Sequence, residues 1–269
     1  MNKNDTNFIP NGRHVSWSAG LGWLYTAWRA FIANIGGWLL VALIYSVITY
    51  IATLIFASRA IPYIDTLSYP LYFLLLGGYM AVCDEHNKTG KVQLLLLFRG
   101  FQYHSLLLIL VGLLSFTILL LLPFLLLTLF WQQYDQLSLE SIFYYNNFDT
   151  STIITILVSF IVYFFLITSL TFYTPMLIVC RRMSLFEAIA ASVEAYFKNI
   201  VPLIISIITF GILLFLLFMF IAMLWRTVIA QPGFIYFIIL ISPILLSSYI
   251  ALFLYSSYRS VFFIDNAQD

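Results

Sequence analysis

Residues 83 to 86 read Cys-Asp-Glu-His, four side chains that bind metals or transfer protons, in consecutive positions. Thiolate, carboxylate and imidazole are ligands for zinc-like ions, and a Cys–His pair is a nucleophile with its base. The spacing argues against both uses. A metal site gathers three or four ligands around one point, whereas consecutive residues of a helix point about 100° apart. We read this cluster as a solvated helix end. The three histidines, His14, His86 and His104, are far apart in the chain. No phosphate-binding glycine loop, H-E-x-x-H or G-x-S-x-G occurs. The reading is a protein that is not an enzyme, with no catalytic residues, no cofactor and no metal.

Ion-coupled transport leaves a different mark, an ionisable side chain within an apolar span, where it is costly and therefore informative. Asp65 comes nearest, within Ile61–Val82, although Pro70 nearby also suits an irregular outer turn with the helix starting near Ser68. Pro123, Pro175 and Pro243 fall inside apolar runs, where each removes a backbone hydrogen bond; such breaks shape packing or line a cavity.

These residues must be positioned by apolar elements. Of 269 residues, 63% are hydrophobic and 9% charged, against roughly 45–50% and 25% in soluble domains. Six runs are long enough to cross a bilayer at 1.5 Å per residue: about 35–57, 62–83, 105–130, 152–180, 200–225 and 233–257. They do not alternate apolar and polar residues as barrel strands do. The fold class expected is all-α, a polytopic membrane protein without β-sheet. Net charge is +1 with scattered basic residues, which excludes a nucleic-acid footprint. Cys83 and Cys180 read as reduced, structural thiols.

Ten of the twelve Lys and Arg lie on the side shared by both termini, with Arg59 and Arg226 opposite. That asymmetry predicts that both termini are cytoplasmic and the 131–151 loop external. The external loop, 131–151, carries three acids, no bases and six aromatics, which suits an interfacial belt.

Three stretches change character before they enter the membrane. In SLFEAIAASVEAYFKN, Leu185, Ile189, Val193 and Tyr196 or Phe197 share one helical face, with Glu187, Ala191, Glu194 and Lys198 on the other. Ser184 and Glu187 have capping-box spacing, and Glu194 and Lys198 form an i,i+4 pair. Asn199 and Pro202 then turn the chain. Leu24, Trp28, Phe31 and Ile35 form a similar face before Asn34, and LLLLFRGFQYH is a weaker third case before His104. Phe31, Phe101 and Tyr196 correspond, each followed three residues later by a turn position: Asn34, His104 and Asn199. The reading is three parallel repeats, 18–83, 89–180 and 184–263, each an amphipathic cytoplasmic helix followed by a transmembrane hairpin. Residues 1–17 are expected to be flexible and 264–269 to form a tail.

The stretches GWLYTAWRAFIANIGGWLL, LLLLFRGF, YTPMLIV and EAIAASVEAYFKNIVPLI together resemble the BPSS1780-type family of bacterial inner-membrane proteins and, more distantly, the membrane domains of some glycerophosphodiester phosphodiesterases. The resemblance covers roughly residues 17 to 263. It implies a six-helix inner-membrane protein and transfers no activity or site residue.

Three functions follow from the residues themselves. The first is a non-enzymatic protein that binds membrane lipids or a membrane protein partner and supports envelope integrity. Its surface would be Arg29, Arg99, Arg181, Arg182 and Lys198, since each basic residue near an anionic membrane contributes about 1 kcal/mol. The second is a permease or flippase for an apolar or amphipathic solute, and the third a membrane subunit of a larger complex. A polar cavity among the spans would favour transport, and a sealed bundle would favour binding. So uniform an apolar pattern does not fix the rotation of each helix.

Overall fold

The computed structural model describes residues 7–56, 68–102, 104–133, 150–224 and 232–264. Among these the chain is mainly helical, with an isolated bridge pairing Phe8 with Phe263. The helices are α1 Ala19–Ala33, α2 Ile35–Phe56, α3 Ser68–Thr89, a 3-10 helix Leu94–Phe98 running into α4 Arg99–Gln102, and α5 Ser105–Gln133. They continue with α6 Thr150–Thr171, α7 Thr174–Arg181, α8 Leu185–Lys198, α9 Ile200–Leu224 and α10 Pro232–Phe262.

Three helical runs are long and apolar enough to cross a membrane: Ile35–Ile55, Leu157–Arg181 and Ile200–Met223. A fourth is added if Leu94–Gln102 and Ser105–Leu121, bent by 82° at their junction, count as one span. Three or four of the six expected spans therefore meet this test among the described residues. In α3, the segment after Cys83 is polar, which shortens its apolar part. Along α9 nearly the whole circumference is apolar and exposed, including Ile208, Leu213, Phe218 and Met223. A helix apolar all round is stable inside a core or a bilayer and not in water, so this helix is consistent with a membrane protein.

The packing follows a cycle. The 3-10 helix and α4 lie on α3, α8 lies on α6 and α7, and α1 lies on α10. Each short helix thus rests on the last helix of the segment before it, with α1 closing the ring. The ends of α3, α7 and α10 contribute most of the buried centre, with Tyr79, Met80, Tyr173, Met176, Leu177, Tyr258 and Phe262 all within it. Close backbone approach at the contacts is allowed by glycine. A β-carbon at Gly78 would collide with the Leu97 carbonyl, and one at Gly100 with that of Leu74. The small residues Gly77 and Gly78, and Ser247 and Ser248, therefore serve helix contact.

Two features differ from expectation. Residues 7–17, expected to be flexible, are laid along the bundle: Ile9 N–H donates to the Phe262 carbonyl and Arg13 N–H to that of Val261. The apolar Phe8 side chain stacks on Phe262 and meets Phe263 edge-on, which gives this otherwise polar segment an anchor. Second, α8 is rotated from the reading above. Its buried face is Ala188, Ala191, Ser192, Ala195 and Tyr196, because small side chains let it approach α6 and α7 closely, whereas Phe186 and Phe197 are left outward.

Candidate functional site

The three turn positions each fall at a helix junction. Asn34 lies between α1 and α2, and its Oδ1 accepts from Gly37 N–H at 3.2 Å, capping the second helix. Asn199, fully buried between α8 and α9, accepts from Val15 N–H at 2.9 Å and donates to the Arg13 carbonyl at 2.9 Å. His104, opening α5, has φ 57°, a left-handed backbone that side chains other than glycine adopt at some cost.

The short helices at this end have distinct sectors. On α8, Phe186 is 83% exposed and Phe197 52%, and with Ile189 and Val193 they form an outward apolar stripe. On α1 the corresponding stripe is Leu21, Tyr25, Trp28 and Ile32, all exposed, while Trp23, Leu24 and Ala27 face inward. On the 3-10 helix, Leu95 is 84% exposed and Leu97 buried. Polar groups occupy the remaining side of α8, where Glu194 pairs with Lys198 at 2.7 Å. Its first turn carries the capping box expected from Ser184 and Glu187. Hydrogen bonds from the Ser184 hydroxyl and backbone N–H hold the Glu187 carboxyl below its ordinary range.

The basic residues singled out from the sequence divide into two groups. Arg29, Arg182 and Lys198 are exposed, with Arg29 lying 5.8 Å from the Tyr25 ring. Arg99 and Arg181 are half-buried. Arg181 sits 4.5 Å from the rings of both Phe8 and Phe263, so it clamps the two ends of the described chain together. Of the prolines, Pro175 opens α7 after a break at Phe172 and Tyr173, and Pro123 and Pro243 lie within α5 and α10, which continue through them. Asp65, Arg59, Arg226 and the loop from 134 to 149 lie outside the described residues.

The Cys-Asp-Glu-His stretch disperses. Cys83 is buried, Asp84 accepts from Tyr255 Oη at 2.8 Å and pairs with Lys88, and Glu85 accepts from Gln93 at 3.3 Å. His86 meets the Trp38 ring edge-on at 5.2 Å. Burial lowers the His86 pKa below its ordinary value. Among the described residues, no group of three or more His, Cys, Asp or Glu could hold a metal ion.

What sequence reading missed is a cavity of about 1120 Å³ between the 13–18 segment, α1, the end of α3 and the end of α10. Its lining includes Arg13, Trp23, His86, Asn87, Tyr255 and Arg259. Arg13 and Arg259 are 246 positions apart in the chain, and nothing local to either marks them as partners. The orphaned indole N–H of Trp23 could be known only from the structure. A second cavity, about 380 Å³, lies between α2, α3 and α10, with Tyr45, Tyr72, Tyr79 and Ser247 among its lining.

No protein-family model matches the chain, and no curated protein or solved structure matches it either.

Proposed function

We propose that this chain is a non-enzymatic, multi-pass protein of the bacterial inner membrane that binds anionic lipid at its cytoplasmic face and supports envelope integrity. In this reading it has six spans as three hairpins, each preceded by an amphipathic helix, with both termini cytoplasmic. The observation that carries it is the three-sector design of α8: small residues inward, Phe186, Ile189, Val193 and Phe197 outward, and Glu194 and Lys198 on a polar side. A helix with protein, acyl chains and water on three sides suits the headgroup boundary. The same division on α1, and the cyclic packing of the short helices, support the threefold repeat. The exposed Arg29, Arg182 and Lys198 supply the charge for anionic headgroups. The BPSS1780-type resemblance agrees with this class and rests on the short stretches quoted above.

The test is purification in native-lipid particles, with bound lipids identified by mass spectrometry and compared with the bulk membrane. Enrichment of anionic lipid that falls in the R29Q/R182Q/K198Q variant supports the reading. A bulk-like profile that the variant leaves unchanged overturns it.

One observation favours a permease or flippase instead: the 380 Å³ cavity beside α2 and α10, with tyrosine and serine hydroxyls along an otherwise apolar wall. Against it stands the packed centre of Tyr79, Met80, Tyr173, Leu177 and Phe262, which closes the described bundle near its charged end. A membrane protein partner, with this chain as a subunit, would be seen in the same purification.

A further inference from the structure

The 1120 Å³ cavity is built from parts that belong to three distant stretches of the chain, and the charged side chains that line it are basic. Arg13 and Arg259 bring two guanidinium groups to its wall, and Ser16, Ser18 and Ser256 bring hydroxyls. No Asp or Glu is among the described residues that line it; the nearby Asp84 is engaged by Tyr255 and Lys88. Two donors or acceptors in this wall have no hydrogen-bond partner among the described residues: Trp23 Nε1 and His86 Nδ1. Trp23 is only 2% exposed, so its N–H is withheld from bulk water as well as from the protein.

The guanidiniums are held rather than loose. Arg13 Nε donates to the Ser260 carbonyl at 2.9 Å, and Arg259 lies 4.0 Å from the Phe263 ring. Arg13 is fixed further by the backbone bonds of its segment to Val261 and Asn199. Planar, fixed guanidinium pairs are the usual recognition element for phosphate oxygens. The volume far exceeds that of a bare phosphate and lies just above the range of cavities that hold organic ligands, roughly 300–1,000 Å³. Ala27, Ala30 and Leu252 give part of the wall an apolar character suited to the organic portion.

We propose that this cavity binds a phosphate-bearing anion, with Arg13 and Arg259 pairing to its oxygens and Trp23, which lines it, sensing the occupant. Two sources share that chemistry: the headgroup of an anionic phospholipid entering beside α1, and a soluble phosphate compound. The proposal rests on the lipid-binding reading above for the first source only, and it adds a defined interior site to a reading that otherwise concerns an outer surface.

The experiment follows the Trp23 indole resonance in detergent-solubilised protein labelled with ¹⁵N-tryptophan, assigned by the W23F variant. The probes are dihexanoyl phosphatidic acid and inorganic phosphate, titrated separately. We expect the phosphatidic acid to shift the Trp23 signal saturably and to bind about tenfold or more weakly in R13Q and in R259Q, the range for losing one charge-assisted hydrogen bond. K91Q, which removes a cation outside the cavity, should leave that affinity unchanged. An equal response to inorganic phosphate at the same concentrations supports the site and assigns it to soluble phosphate. No shift with either probe, or a shift that both arginine variants leave intact, overturns the proposal. Because R13Q also alters the docked 13–18 segment, R259Q carries the decision if R13Q unfolds. The two readings fail separately. Lipid enrichment that depends on Arg29, Arg182 and Lys198 with a silent Trp23 removes only the cavity, and a responsive Trp23 without such enrichment removes only the surface.

Discussion

Asn199 holds Val15 across 184 positions of chain, its side-chain oxygen accepting the Val15 N–H at 2.9 Å while its amide nitrogen donates to the neighbouring Arg13 carbonyl. A residue that ends one helix and precedes another is therefore also the peg on which the N-terminal segment hangs. Asn199→Ala leaves a buried N–H and a carbonyl without partners, and should cost about 1–3 kcal/mol. Asn34→Ala removes only a helix cap and should cost about 1 kcal/mol. Equilibrium unfolding in mixed micelles would rank the two, and equal losses would deny Asn199 its second role.

At the junction before α5, His104 has the positive φ that its counterparts lack. His104→Gly removes the strain of that backbone and should be neutral or stabilising by up to about 1 kcal/mol, offset by unfolded-state entropy. His104→Val should be destabilising by more than that. Thermal unfolding of both variants checks the sign.

Close approach makes Gly78 and Gly22 behave oppositely. A β-carbon at Gly78 collides with the backbone of Leu97, so Gly78→Ala should cost about 3 kcal/mol and loosen the 3-10 helix from α3. Gly22, within α1, has open space around it, and Gly22→Ala should stabilise by about 0.5–1 kcal/mol. Hydrogen exchange at Leu94–Phe98 would report the loosening directly.

Tyr79, Ser248 and Trp38 form a chain: Ser248 donates to the Trp38 carbonyl at 2.7 Å, and Tyr79 Oη lies 2.8 Å from Ser248 Oγ. Tyr79→Phe and Ser248→Ala should each cost about 1 kcal/mol, and the double variant less than the sum. Additive losses in a double-mutant cycle would mean the two hydroxyls act independently.

The pH dependence follows from two depressed values with the same sign. Burial disfavours the His86 imidazolium in the folded state, so its folded pKa lies below the unfolded one. Stability from this group is present above the ordinary histidine range and lost as pH falls through the folded pKa. Arg13 and Arg259 line the same cavity, Trp38 faces the ring, and Asp84 and Lys88 lie nearby on α3. Glu187 adds a second loss at lower pH, as the carboxylate that caps α8 is protonated. Melting temperature against pH should decline through the histidine range in the parent protein and more weakly in His86→Gln. Parallel curves would exclude His86.

The corners of the fold were legible in the sequence and the faces were not. Ser184 and Glu187, Asn199 with Pro202, and the start of α3 at Ser68 announce themselves through short-range chemistry that works wherever a helix begins. Ala191 was assigned to the polar face and is buried, because alanine carries no pattern strong enough to distinguish a packing face from a solvent face. The 1120 Å³ cavity was invisible for another reason. Arg13 falls in the polar stretch before α1 and Arg259 just beyond the 233–257 apolar run, and only the docking of residues 7–17 brings them to one wall.

That docking also sets an order in time. Arg13 is synthesised about 250 residues ahead of its partners Ser260 and Val261, a delay of roughly 12–50 s at ordinary synthesis rates. Until then the leading segment has no partner on the final helix, and the cavity has no fourth wall. Completion of α10 is thus the event that seats residues 7–17, so protease resistance near Arg13 would serve as a clock for closure of this bundle.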